Sequence, residues 1–292
     1  MKVLSSQEDN SVNFIIKKDN QILETRYVRR VDDYFIIYVS SHTGCKLACR
    51  FCHLTATGQT SFQHASFDDY KNQANIIMDY YNTLNKPAKQ VHFNFMARGE
   101  PLANDIILND GISVINYYYE LAKKNNLIGS SRLSTIMPKT INKPLINIIG
   151  KKHVIPYYSL YGINEKFRKR WIPNALPVSD ALDIFKDWQD KSKQHIVIHG
   201  AFIKDENDSI DDMEKLCDLL INKQIYAKMN VVRYNPFDTS KHGEESSEEK
   251  INILLDIFKE RLQKNNLLAR NSRVVPRVGF DVKASCGMFI NE

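Results

Sequence analysis

The sequence predicts an α/β chain whose strands close into a partial (β/α)6 barrel, with a short β extension in front of it. Three observations lead there. Runs of β-branched and aromatic residues alternate with runs of helical periodicity over most of the 292 residues, a pattern that favours a parallel sheet with right-handed crossovers. Five or six strand–helix units follow one another without a Gly/Ser linker, low-complexity tract or internal repeat, which fits one partial barrel better than two separate domains. Residues able to do chemistry recur where strands end, the end at which (β/α) barrels build their sites.

Residues 1–33 contain VNFIIKK and ILETRYVRRV, read as the extension; residues 34–292 are read as the barrel core, including a C-terminal loop around Cys286. Tyr34 to Ser40 (YFIIYVS) is the first barrel strand and runs into Gly44–Cys45. Ser66 to Asn85 has helical spacing, with Ser66 as N-cap and Asp68 and Asp69 in the first turn. Val91 to Met96 is the next strand, followed by a helix around Gly111 to Lys123. Further strands are expected at Arg132–Ile136, Val154–Leu160, Ile196–Ile203 and Ala227–Tyr234, and helices at Asp180–Lys191, Ile210–Asn222 and Glu248–Lys264.

Hydrophobic content of 43% and charged content of 25% are those of an ordinary soluble protein. The N-terminus has no apolar stretch long enough for a signal peptide, and nothing approaches the roughly 20 apolar residues of a membrane span; a cytoplasmic protein with no membrane partner is expected. The net charge of +6 is compatible with a polyanion such as RNA, though many metabolic enzymes are as basic.

There are five cysteines, an odd number, and Cys45, Cys49 and Cys52 lie within eight residues. Without a secretory signal, that argues for metal rather than a disulfide framework. In Cys45-x-x-x-Cys49-x-x-Cys52, three thiolates can ligate three irons of a [4Fe–4S] cube and leave the fourth iron open. Such an iron can chelate the amino and carboxylate groups of S-adenosylmethionine (SAM) and pass an electron to its sulfonium, releasing a 5′-deoxyadenosyl radical. Zinc completed by His53 or His42 is the competing reading, though the spacing is tight for it. Three cysteines packed as small hydrophobes fit so polar a loop poorly.

At this point the residues resemble a specific family. VSSHTGCKLACRFC (Val39 to Cys52) is similar to the cluster loop of the radical SAM adenosine C2/C8 RNA methyltransferases, the RlmN/Cfr family, with Phe51 as the aromatic before the last cysteine. MARGEPL at Met96–Leu102, LSTIMP at Leu133–Pro138, YSLYGIN at Tyr158–Asn164, RYNPF at Arg233–Phe237 and GFDVKASCGMF at Gly279–Phe289 continue the resemblance in order. It implies a radical SAM barrel. It also implies an enzyme that methylates adenosine of rRNA or tRNA, at C2 in preference to C8, with SAM and a [4Fe–4S] cluster as cofactors. Gly99 and Glu100 would meet the methionine end of SAM, and Ser134, Ser159 and Asn235 would hydrogen-bond it, with Tyr161 standing where the family has histidine. Cys286 would carry the methyl group as S-methylcysteine, and Glu24 matches a glutamate considered a proton acceptor. Cys217, on a helical pattern, reads as packing. RNA, an electron donor such as flavodoxin or ferredoxin, and a monomeric state complete the implication. A radical SAM enzyme that uses the 5′-deoxyadenosyl radical directly, and an RNA-binding relative without turnover, are the alternatives.

Two departures stand out. Tyr38 occupies the place of the family's second essential cysteine, which resolves the covalent intermediate; tyrosine can move a proton but cannot form a disulfide. The chain also begins almost at the β extension, where the family carries a helical accessory domain. RNA phosphates would then fall to groups such as Arg29, Arg30, Lys151, Lys152, Arg168, Lys169 and Arg170.

Overall fold

Side-chain alternation builds the barrel. In QVHFNF, Val91, Phe93 and Phe95 pack into the main core while His92 and Asn94 face an interior cavity. In AKMNV, Ala227, Met229 and Val231 are likewise in the core and Lys228 and Asn230 face inward. The computed structural model describes residues 1–291. One ten-stranded sheet runs in chain order: β1 (Lys2–Ser5), β2 (Val12–Lys18), β3 (Gln21–Val31), β4 (Tyr34–Tyr38), β5 (Gln90–Phe95), β6 (Ile128–Thr135), β7 (Val154–Ser159), β8 (Ile196–Gly200), β9 (Ala227–Val231) and β10 (Arg273–Val274). The first four strands pair antiparallel and β4 to β10 pair parallel.

The helices are α1 (His53–Ala56), α2 (Phe67–Thr83), α3 (Asp105–Lys124), α4 (Leu145–Ile149), α5 (Glu165–Trp171), α6 (Val178–Ser192), α7 (Ile210–Asn222), α8 (Thr239–His242) and α9 (Glu248–Lys264). The long ones cover the outer face of the strands. Ring pairs such as Phe35–Tyr81, at 4.2 Å, and Phe93–Tyr118, at 4.5 Å, join strand to helix. Ser66 caps α2 in a full capping box with Asp69. Helix α3 starts earlier than the apolar period predicts, because Asn104 caps it by accepting from the Ile107 amide. The strands expected to reach Ile136, Ile203 and Tyr234 stop at Thr135, Gly200 and Val231, and the chain beyond them turns into site loops. The four short helices α1, α4, α5 and α8 carry too few turns to show a period. No helix among the described residues is long and apolar enough to cross a membrane.

Burial leaves several histidines neutral. It drives His42 and His199 down to about 4, with His64 and Arg30 as the next contributors respectively. An unfolded histidine takes up its proton near 6.5, so between 6.5 and about 4 the unfolded state holds more protons. Stability is therefore complete above pH 6.5 and falls as the pH drops through that window, by about 1.4 kcal/mol per pH unit for each such histidine. Glu100, raised to about 7 by burial, works in the opposite direction. His199→Gln is accordingly the test: denaturant unfolding between pH 6 and pH 4.5 should show a slope flatter by about 1.4 kcal/mol per pH unit. An unchanged slope would contradict the neutral burial of His199.

Candidate active site

The loop that follows β4 folds over the C-terminal mouth of the barrel. The Cys45 amide donates to Gln59 O at 3.0 Å, the Cys52 amide to Cys49 O at 3.0 Å and the Arg50 amide to Trp171 O at 2.8 Å. Burial pushes the Cys45 thiol up to about 11 and Cys52 up to about 12, and holds Cys49 well above its ordinary value. Each cysteine is further raised by acidic or thiol neighbours, Glu100 for Cys45 and Cys45 for the other two. Such thiols become thiolates only when strongly positive metal centres replace their protons.

The donor set fits an iron–sulfur cube better than zinc. Among the described residues, no group of three or more His, Cys, Asp and Glu side chains is placed to hold a metal ion. A cube instead takes each thiolate on a different iron. Both histidines that could complete a zinc site are engaged: His42 with Ser41 Oγ and Ala103 O, His53 with Asn235 O.

The three cysteines line a cavity of about 120 Å³ together with Gly99, Glu100, Ser134, Ser159, Tyr161 and Cys286. A neighbouring hollow of about 290 Å³ shares Cys45, Leu47 and Glu100 with it. The Glu100 carboxylate accepts from the Leu102 and Ile136 amides, each at 3.0 Å, which fixes it at the end of β5 and β6. Gly99 has φ of +91° and lies where a Cβ would come within 2.4 Å of His42 Nδ1, so only glycine lets the loop turn there. Ser134 and Ser159, at the ends of neighbouring strands, share a 2.8 Å hydrogen bond. Tyr161 has φ of +59° and stacks on Phe51, centroids 3.9 Å apart.

Cys286 reaches the cavity from the far end of the sequence. Asn235 holds its loop, donating to Cys286 O at 2.9 Å and Ser285 Oγ at 3.1 Å. The His53 amide donates to Gly287 O at 2.9 Å, which ties that loop to the last cluster cysteine. Burial raises the Cys286 thiol, while Arg26 and then the Tyr161 hydroxyl act against the shift. Asn235 does not line the cavity, and its buried Oδ1 has no partner among the described residues.

Glu24 lies behind the site, 0% exposed. Its Oε1 accepts from Arg98 at 2.7 Å and from the Ile290 amide at 3.0 Å; its Oε2 accepts from Asn13 at 2.8 Å and Arg26 at 2.9 Å. Arg26 also donates to Met288 O at 2.7 Å, and Arg98 to Thr43 O at 2.6 Å and Ile290 O at 3.1 Å. One buried carboxylate thus joins the extension, the cysteine loop and the segment carrying Cys286.

The basic groups expected to hold phosphates are mostly elsewhere. Arg29 is buried and donates to the carbonyls of Lys86, Asp32 and Pro87. Arg168 is buried and spends its guanidinium on Leu160, Gly162 and Leu176 carbonyls. Both are structural. Arg170 pairs with Glu206, and Lys151, Lys152 and Lys169 are exposed. Only Arg30 faces the barrel interior, with Tyr38, Arg132, Lys228 and Arg273, three cations the sequence reading missed. For Lys228 the signal was a cation at an inward strand position between two apolar neighbours, Ala227 and Met229; Arg132 and Arg273 each have a serine on one side and carried no such signal. Cys217 is core, as expected.

No protein-family model matches the chain. Among curated proteins it is similar to the "Probable dual-specificity RNA methyltransferase RlmN" of Prochlorococcus marinus, 27% identical over 253 residues, covering 85% of this chain and 65% of that protein. It is similar to the "Dual-specificity RNA methyltransferase RlmN" of Helicobacter hepaticus, 31% identical over 255 residues, covering 85% and 63%. For its namesake in Aliarcobacter butzleri the figures are 26% over 280 residues, 94% and 71%. The chain thus spans about two thirds of the length of these relatives, 63 to 71%. Among solved structures, a radical SAM methyltransferase from Sphaerobacter thermophilus aligns with a TM-score of 0.81 at 18% identity, covering 99% of this chain and 80% of that one. SuiB of Streptococcus suis bound to S-adenosylmethionine aligns at 0.53 and 17% identity, covering 83% and 47%. The fold is that of the radical SAM enzymes. The radical SAM barrel accounts for the parallel order of β4 to β10 and for the cysteine loop directly after β4.

Removing one member of a buried ion pair leaves the others uncompensated, at a cost of about 3–5 kcal/mol. Glu24→Gln should therefore lower unfolding stability by about that amount and speed alkylation of Cys286 by iodoacetamide. Stability and labelling both at the unmodified level would show that Glu24 does not hold the Cys286 segment.

Proposed function

We propose that the chain is a radical SAM RNA methyltransferase of the RlmN kind, acting on adenosine of rRNA or tRNA, at C2 in preference to C8, through S-methylation of Cys286. The observation that carries this reading is the convergence of Cys286 with Cys45, Cys49 and Cys52 on one cavity, from opposite ends of the chain. The names of the relatives support the RNA substrate.

In this reading Cys45, Cys49 and Cys52 hold a [4Fe–4S] cluster that, with SAM, supplies one-electron and radical chemistry. The chain's own residues bind and orient. Glu100 accepts the ammonium of SAM, and its two amide donors keep the carboxylate facing the cavity. Gly99 leaves room for the methionine backbone. Ser134 and Ser159 offer hydroxyls, and Asn235 holds the Cys286 loop from outside the cavity, so a contact of its own with SAM would require that loop to shift. The stacked rings of Phe51 and Tyr161 shield the cysteine loop from water beside Cys286. Glu24, saturated by four donors, positions the methyl-carrying segment, and a part in proton acceptance would require that network to open. An electron donor such as flavodoxin or ferredoxin would serve a cytoplasmic, monomeric enzyme. Residues 1–33 would form its β extension and 34–292 its barrel, with Glu292 lying outside the described residues.

Tyr38 bears on how the reaction ends. It faces the interior below Cys286, and its hydroxyl accepts from Arg30 at 3.4 Å. A covalent RNA–Cys286 intermediate has no second cysteine at this position to release it. Anaerobically reconstituted protein should carry about four irons per chain, release 5′-deoxyadenosine on reduction, and bear a SAM-derived methyl group on Cys286 by mass spectrometry. Cys49→Ala should lose the first two. With RNA, the wild type should accumulate a covalent adduct that Tyr38→Cys resolves. An unmethylated Cys286 would sink the methyl-carrier reading.

A further inference from the structure

Beneath Cys286 the barrel holds a larger cavity, about 430 Å³, within the range that takes a nucleotide-sized ligand. Among the described residues, seven cationic side chains line it and no carboxylate does. Three of the seven have acidic partners: Arg26 with Glu24, and Arg233 and Arg277 with Glu245. Arg30, Arg132, Lys228 and Arg273 have none among the described residues. Their partners are neutral: Arg30 meets the hydroxyls of Tyr38, at 3.4 Å, and Tyr34, Arg273 that of Tyr34, at 3.4 Å, and Arg132 the carbonyl of Ser131, at 2.9 Å, and the Tyr157 hydroxyl.

These four charges bear on one place. Burial drives His92 down to about 3, and Arg132, Lys228, Arg273 and Arg30 all push the same way. Lys228 is itself lowered, by burial first and then by Arg132 and Arg273. Gathering like charges in a half-enclosed space costs free energy, and the described residues supply these four with no countercharge. Polar atoms without partners border the same space: His199 Nδ1, Asn94 Oδ1 and Asn230 Oδ1 are buried and unpaired among the described residues. Asn230 lies two residues nearer the C-terminal mouth than Lys228 on the inward face of β9, and His199 and Cys286 line both cavities.

We propose that the barrel interior is a nucleotide subsite, in which Arg30, Arg132, Lys228 and Arg273 neutralise a phosphate while the base sits above it, against Asn94 and Asn230, toward Cys286. This rests on the methyltransferase reading for the identity of the base. The phosphate is either a backbone phosphodiester of RNA or the monoester of a free nucleotide.

The test uses the full, reconstituted protein and a fluorescein-labelled, adenosine-containing decaribonucleotide, followed by anisotropy at several salt concentrations. Arg132→Gln with Lys228→Gln should weaken binding by at least about tenfold and lessen the log–log salt slope by roughly 0.7 for each lost phosphate contact. Lys123→Gln with Lys124→Gln, exposed on α3, should change neither. Displacement of the probe by AMP would assign the subsite to a monoester, and no displacement to the RNA backbone. Inorganic phosphate should raise the melting temperature of the wild type but not of the interior variant, which without phosphate should melt no lower than the wild type because repulsion is relieved. Unchanged affinity and slope in the interior variant, or melting lowered with binding intact, would overturn the proposal. Loss of methyl transfer with interior-dependent binding preserved would count against the methyltransferase reading alone.

Discussion

The Glu24 carboxylate, clamped between two guanidinium groups, is the constraint on which the rest of the site depends. Residues 0%, 1% and 2% exposed at Glu24, Arg26 and Arg98 place three charges where water cannot compensate them. Such a cluster is tolerable only when its charged groups are well partnered, as both Glu24 oxygens are, although Arg26 Nε has no partner among the described residues. Here the partners come from three distant stretches: the extension, the cysteine loop with its following strand, and the C-terminal segment. The rings add to this, since Phe289 sits under both guanidiniums at 4.9 and 5.9 Å. The position of Cys286 opposite the cluster cysteines follows from satisfying a buried charge.

The two cavities divide the chemistry. The upper one is lined by thiols and strand-end hydroxyls, with a single carboxylate at Glu100. The lower one is basic, with no carboxylate among the described residues that line it. Cys286, His199 and Met96 line both. A thiol at that junction can meet a sulfonium-bearing molecule from one side and a nucleotide from the other, without either having to leave. Tyr38 belongs to the lower cavity.

Much of the fold was legible in the sequence. Strand alternation and helix period carry local burial, so α2, α6, α7 and α9 and strands β4, β5, β7, β8 and β9 lie within three residues of their expected places, while α3 and β6 start earlier than expected. Ser66 with Asp69 marked the start of α2 because a cap is a local interaction. The one- and two-turn helices were not legible, since their residues lack a period. The strand ends were placed too late because apolar residues beyond them, such as Ile136 and Ile203, are buried by loops rather than by the sheet.

The sequence by itself determined the cysteine loop, the order of its companion segments and the α/β alternation, because each is a matter of spacing along the chain. Only the tertiary structure decided which charges are structural and which are available. Arg29 and Arg168 looked like surface cations and are buried on carbonyls. Glu24, expected from the family resemblance to accept a proton, is held by four donors drawn from remote segments. Lys228 and Arg132 read as ordinary strand residues and converge on one interior space. Whether a charge is free depends on what faces it from remote segments, and Coulomb energy in a half-enclosed barrel is set by distance through space, not along the chain.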